Sequence, residues 1–419
     1  MKIELPYGKL KLCVDVPKQN LLKIIKPRLI IPKDKPEDLV KKALDQPLKK
    51  KRLEESLKPN MRVTIVVDDK TRPCPSKLML PPLLKIMHSQ GIPKGNVTIL
   101  FGCGTHEPVN EEWAKELLGT DIANEYKWYS SSNKIQNLKW VYKGTTSGGT
   151  KVLLNSLFAG ADFRIILGDI EPHYFAGYGG GRKSVLPGVT NDETIQANHK
   201  LMFDDRAKMC NLKGNPVHLD MMEVTDLAEV DLCLNVVQNR DGNVVGAFAG
   251  DHREVLKKGV ELVDKMSVSE VKELADIAIT AANGHPHDIN LYQAHKAVSG
   301  IIDCVKKNGV LILVAQCKEG AGSKRFWDDM GIYYSSEEVK HDLLKNFFIG
   351  RHKTYYLLKA KEKLRMLLVS EFDEATTHRF AFEKSENPQK ALDTAFEMLG
   401  RDARVLVSPW GSTTLAKKV

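Results

Sequence analysis

Long apolar runs are missing from this sequence: nothing approaches the roughly 18 consecutive residues that would cross a bilayer. Paired cysteine motifs are missing too. The seven cysteines (Cys13, Cys74, Cys103, Cys210, Cys233, Cys304 and Cys317) are odd in number and scattered, with no CxxC among them. That argues against a disulfide or zinc framework and for free thiols in a reducing compartment. Aromatics make up only 7% and do not interleave with a basic stripe, so no nucleic-acid footprint is present. The net charge of +9, from 62 basic and 53 acidic residues, reads as solvated faces such as Lys49-Lys-Lys-Arg52. A milder consequence is attraction of small anions towards a basic cleft. The stretch MKIELPYGKLKL alternates like a strand and has no apolar signal core. The expectation is a soluble cytoplasmic protein with a small-molecule ligand and neither membrane nor nucleic acid as partner.

What is present is a strand–helix alternation. Strands are expected over 62–67, 96–101, 164–168 and 230–236, with a helix over 76–90 after the first. A helix over 251–265 and a linker over 266–270 follow. A fresh unit then has a strand over 275–281, a helix over 292–307 and a strand over 309–315. A helix over 388–399 and a strand over 404–408 close it. This pattern predicts an α/β protein with two α/β domains, 1–267 and 268–419, mostly parallel sheets and an active-site cleft between the domains. Charge and imidazole gather at strand C-termini: Asp68-Asp69-Lys70-Thr71-Arg72-Pro73, Gly102-Cys-Gly-Thr-His106, 169–183, and Asn283-Gly-His-Pro-His287. In open α/β sheets that edge binds ligands.

The run Gly177-Tyr-Gly-Gly-Gly-Arg-Lys-Ser184 is one residue short of a phosphate-binding P-loop, because Arg182 stands where that pattern needs glycine. Pro187-Gly188 also blocks a helix starting at Lys183. The next helix is expected from Thr190, with Glu193 completing a capping box. What remains is a loop nearly free of side chains, which lets a bulky group approach Lys183 as ion-pair partner or nucleophile. A plain glycine-rich turn with a solvated lysine is the bland alternative. No G-x-G-x-x-G opens a helix after a strand, which counts against a nicotinamide-dependent dehydrogenase.

Three histidines, His106, His173 and His199, fall at these edges. A lone histidine is more often a hydrogen-bonded bystander, whereas three together suggest acid/base work or metal ligation. They lack the spacing of a zinc cage. His285-Pro-His287 resembles a metal pair, although the proline favours a simple loop. Arg72 can grip a carboxylate in bidentate fashion. Gln293 and Lys296, at i and i+3, share a helix face.

Taken in order, Asp69-Lys-Thr-Arg-Pro73, Gly104-Thr-His106, Pro172-His-Tyr-Phe-Ala-Gly-Tyr-Gly-Gly-Gly-Arg-Lys-Ser-Val-Leu-Pro-Gly188, Asn198-His199 and Asn290-Leu-Tyr-Gln-Ala-His-Lys296 resemble the nickel-dependent lactate racemase family. The resemblance implies a nickel pincer nucleotide, a pyridinium mononucleotide with two sulfur donors and a carbon for nickel, made by separate biosynthetic enzymes. It implies that Lys183 tethers the cofactor and His199 ligates nickel. Asp69, Lys70, Thr71 and Arg72 would line the cofactor. His106 and His173 would be paired acid/base groups, and Arg72, Gln293 and Lys296 would hold the substrate. The implied reaction removes hydride from a 2-hydroxy acid while a histidine takes the hydroxyl proton, then returns both to the opposite face. Malate, phenyllactate or a sugar acid could replace lactate, with His285, His287 and His295 near the expected substrate helix. A non-catalytic anion- or metal-binding protein is the more distant alternative.

Overall fold

The computed structural model describes all 419 residues except Pro73 and Ile349. The chain forms two compact units, Leu29–Met266 and a second that joins Met1–Arg28 to Ser267–Val419.

The Leu29–Met266 unit is built on a six-stranded sheet. Its order is Val244–Gly250, Leu232–Gln238, Phe163–Asp169, Val63–Asp68, Val97–Gly104, Lys127–Ser132. All neighbours are parallel except the first pair. Runs such as Val-Thr-Ile-Val-Val in Val63–Asp68 are buried along their length, the signature of a parallel strand covered on both faces. Strand order reverses between Val63–Asp68 and Phe163–Asp169, so the carboxyl ends of these two strands flank a topological switch point, the ligand crevice of open α/β sheets.

The second unit also carries a six-stranded sheet, ordered Glu383–Lys384, Arg365–Val369, Val305–Val314, Ala275–Ala281, Val405–Ser408, Leu21–Ile24. Every pairing in it is parallel. Its last strand is the main departure from the domains expected at 1–267 and 268–419. Leu21–Ile24 pairs with Val405–Ser408, and the hairpin of Lys2–Tyr7 and Leu10–Asp15 buries Ile3, Leu5 and Val14 against Ile277, Ile279 and Val405. The Asn20 amide donates to the carbonyls of Arg401 and Ala403 at 2.7 and 2.9 Å, which stitches the segment in place.

Other expectations also shift. The linker over 266–270 is partly a strand, Val268–Val271, paired with Leu415–Lys418. The helix over 292–307 is two single turns, Leu291–Ala294 and Lys296–Ser299, then a 3-10 turn at Ile302–Cys304. Gly300 caps the second turn where the chain runs close to neighbouring backbone: a Cβ there would lie 2.6 Å from the Thr414 carbonyl oxygen and 2.7 Å from that of Gly411. Among the described residues no helix is long and apolar enough to cross a membrane, and all seven cysteines are free thiols.

Candidate functional site

The switch point opens into a cleft lined by Asp68, Asp69 and Arg72 after one strand and Gly102, Cys103 and His106 at the end of its neighbour. Asp169 and Glu171 follow the third strand, and Gly179, Gly180, Lys183, Ser184 and Pro187 come from the glycine-rich loop. The loop reaches this place by close backbone approach. Gly104, at φ +56°, donates its N–H to the Gly188 carbonyl at 3.1 Å, and a Cβ on it would meet the Pro187 oxygen at 2.9 Å. Gly180, at φ +70°, would carry a Cβ 2.6 Å from Asn235 Oδ1, which accepts the Gly181 N–H. Only glycine meets both demands without strain.

Arg182 explains the loop's shape. It is fully buried, and its guanidinium donates to the carbonyls of Ala176 at 2.8 Å and Tyr178 at 3.1 Å, with longer contacts to Gly179 at 3.4 Å and Gly180 at 3.5 Å. The residue that excludes a P-loop is the scaffold around which this loop winds. Lys183 follows on a single 3-10 turn, Gly181–Ser184, and no α-helix starts there.

The Lys183 ammonium is destabilised by burial and by the charges of Arg72 and Arg182, which hold its pKa well below the ordinary lysine value against the opposing pull of Glu171 and Asp68. Its Nζ lies 3.2 Å from His173 Nε2. His173 Nδ1 accepts the Ala176 backbone N–H at 3.2 Å. The ring proton is thereby assigned to Nε2, and it points at the amine, which must accept it as a neutral group. Burial, then Lys183 and Arg72, hold His173 well below its usual range, and its ring stacks on Tyr174 at 4.7 Å.

His106 is set up differently. Its Nδ1 lies 2.7 Å from Asp69 Oδ2, and the Thr71 hydroxyl donates to Asp69 Oδ1 at 2.6 Å. Burial raises the Asp69 pKa, but hydrogen bonds from His106 and Thr71 outweigh it and hold the carboxyl below its ordinary value. Deeper in the cleft the carboxyls move up: Asp68 to about 6, chiefly by burial, and Asp169 to about 8, by burial and then by Glu171.

His199 sits on Asp192–Lys200, buried, edge-on to Phe175 with ring centres 5.2 Å apart. Burial and the Lys183 charge push it down to about 3. That helix is capped by Asn191, whose side chain accepts the Thr194 N–H at 3.0 Å, and not by the expected pair of Thr190 and Glu193. Thr190 is one residue early and turns its hydroxyl to the Pro187 carbonyl.

The structure thus gathers Asp69, Arg72, His106 and Lys183 around one cleft, with His173 against Lys183. Lys70 turns away, its ammonium 4.9 Å from the Trp113 ring centre, and Thr71 serves Asp69. Gln293 and Lys296 belong to the other unit, where the Asn290 side chain caps their first turn. His285 and His287 are exposed, while His295 is buried with no hydrogen-bond partner for either ring nitrogen among the described residues. No group of three or more His, Cys, Asp or Glu side chains among the described residues could hold a metal ion alone. Asp169, in the stretch 169–183 marked at a strand end, does line the cleft, whereas the scaffold role of Arg182 was not foreseen.

A switch-point cleft holding a buried lysine of lowered pKa beside a histidine, with a separate histidine–carboxylate pair, defines an enzyme of the α/β class. The lactate racemase N-terminal domain family matches residues 7–210, and the lactate racemase C-terminal domain family matches 270–415. The chain is 31% identical to a lactate racemase of Thermoanaerobacterium thermosaccharolyticum, with 99% of both chains aligned, and 30% identical to one of Lactiplantibacillus plantarum over 85% of each. Its structure is similar to that of the lactate racemase apoprotein from T. thermosaccharolyticum (TM-score 0.90, 29% identity, all of both chains). A Thermotoga maritima protein at 16% identity shares the fold alone (TM-score 0.66, 91% of this chain and 98% of that one). The chain belongs to the lactate racemase family and is accordingly an isomerase, a racemase acting on a small molecule.

Proposed function

We propose that this enzyme interconverts D- and L-lactate, or a closely related 2-hydroxy acid, using a nickel pincer nucleotide held covalently by Lys183. The observation that carries this reading is the setting of Lys183: a buried amine whose pKa is held well below the ordinary lysine value, 3.2 Å from a histidine ring nitrogen, which favours the free amine that a nucleophile needs. The donor chemistry fits the group. A cofactor that brings most of its own donors to nickel asks the protein for one imidazole, and His199 is buried and neutral, the form in which imidazole ligates metal. When bound, the nucleotide supplies a hydride acceptor, which no side chain can.

The chain's own residues account for the rest. Arg72 offers a guanidinium to the substrate carboxylate. His106 Nε2, the ring atom not engaged by Asp69, is the atom proposed to take the hydroxyl proton for one enantiomer. His173 is proposed as the acid/base group for the other, through its Nε2, once joining Lys183 to the cofactor removes the free amine that holds the Nε2 proton in place. Two bases are needed because inversion presents the hydroxyl to opposite sides. Gln293 and Lys296 are proposed as further substrate ligands on the strength of the resemblance alone.

The test is Lys183→Ala in protein made beside the cofactor pathway. Intact mass should lose the covalent adduct, and racemisation of lactate, followed by chiral chromatography, should fall to background. An adduct retained on the variant would sink the tether. Wild-type protein carrying adduct and nickel that leaves lactate, malate and phenyllactate unchanged would sink the racemase reading.

A further inference from the structure

We propose that Asp69, with Thr71, is the positioning residue of His106: its carboxylate keeps the ring proton on Nδ1 and so presents Nε2 bare to the cleft as the acid/base atom. This rests on the racemase reading of His106 given above.

The geometry leaves the carboxylate one choice. Asp69 Oδ1 accepts both the Thr71 backbone N–H at 2.8 Å and its hydroxyl at 2.6 Å. Oδ2 is thereby aimed at His106 Nδ1, 2.7 Å away. An ionised carboxylate has no proton to give, so the hydrogen in that contact belongs to the imidazole. A neutral imidazole has only one, and Nε2 is left with its lone pair.

Both backbones are fixed. The Arg72 N–H closes a turn on the Asp69 carbonyl at 3.1 Å. His106 donates its N–H to the Cys103 carbonyl at 2.9 Å, and the Ser132 hydroxyl donates to the His106 carbonyl at 2.6 Å. Asp69 is 3% exposed, whereas His106 is about a third exposed, so the carboxylate is shielded while the ring edge it orients stays open. When Nε2 takes a proton, the adjacent carboxylate stabilises the imidazolium. His173 has no such partner among the described residues. Its Nδ1 faces a backbone N–H, and its Nε2 carries the proton. The two imidazoles of the proposed pair are therefore built with opposite tautomers, and only His106 has a built-in anion.

Asp69→Asn tests this. In cofactor-free protein with isotope-labelled histidine, the nitrogen spectrum of His106 should show the Nδ1–H form in wild type and lose that preference in the variant. In loaded enzyme, kcat should fall roughly 10²–10⁴-fold with KM, nickel content and adduct mass unchanged. Asp69→Glu should recover part of the loss. A purely structural role would lower adduct mass and nickel as well, leaving the tautomer alone. Persistence of Nδ1–H in Asp69→Asn, or an unchanged kcat, overturns the proposal. If that variant does not fold, Asp69→Ser, which removes the carboxylate facing Nδ1, carries the test: a mixed tautomer supports the proposal and an unchanged one overturns it. Should loaded wild type racemise nothing, the racemase reading fails, while the tautomer spectra still decide what Asp69 does.

Discussion

Individual side chains in this cleft sit far from their free-solution protonation, and each displacement has a cause that can be removed. Asp169 is held near 8 by burial and by Glu171, against 3.8 for the free group. Between those values only the folded chain holds this proton, so stability is lost as pH rises through the window. Asp169→Asn should flatten the dependence of unfolding free energy on pH by up to about 1.4 kcal/mol per pH unit there, read by urea titrations at a series of pH values. His199 moves the other way, down to about 3. His199→Ala should leave the Lys183 adduct mass in place while nickel, measured by elemental analysis, drops at least tenfold. These residues were legible to different degrees. His106, His173 and Lys183 could be named because each lies just past a strand or in the glycine-rich loop, and His199, on a helix, through the resemblance alone. The Asp69–His106 contact could not, since it joins residues on neighbouring strands and no local pattern sets its register. The contact of Lys70 with the Trp113 ring was not readable for the same reason, since the two residues are distant in the chain.

The glycine-rich loop is the element whose reading changed most. Pro187-Gly188 and the missing glycine were enough to reject a P-loop, but not to say what Arg182 does instead. Its guanidinium gathers the carbonyls of Ala176, Tyr178, Gly179 and Gly180. Arg182→Met keeps much of the volume and orphans those acceptors. It should cost about 3 kcal/mol or more, measured by denaturant unfolding, and Lys should rescue little because an ammonium cannot span the fork. Elsewhere, elements with local signals were read well. The helix over 388–399 is Pro388–Leu399, with Asn387 capping and Pro388 at its first turn. Elements governed by distant partners were not. The helix expected over 292–307 is interrupted at His295 and ends at Gly300, which sits against the Thr414 and Gly411 carbonyls, and Val268–Val271 becomes a strand because Leu415–Lys418 lies beside it.

For the molecule as a whole, the strand–helix alternation was sufficient to give two α/β units with mostly parallel sheets, while the allocation of residues 1–28 was not readable from it. A short strand such as Leu21–Ile24 carries no mark of which sheet it will join, and burial of Leu5 and Val14 among Ile277, Ile279 and Val405 decides the matter. The consequence is one of timing. A ribosome makes Leu21–Ile24 long before its partner Val405–Ser408, whereas every strand of the sheet in Leu29–Met266 is made before Ser267. One unit can close during synthesis. The other must leave an apolar hairpin and a strand waiting until Val405–Ser408 has been made, an interval in which a nascent chain depends on holding factors and on speed.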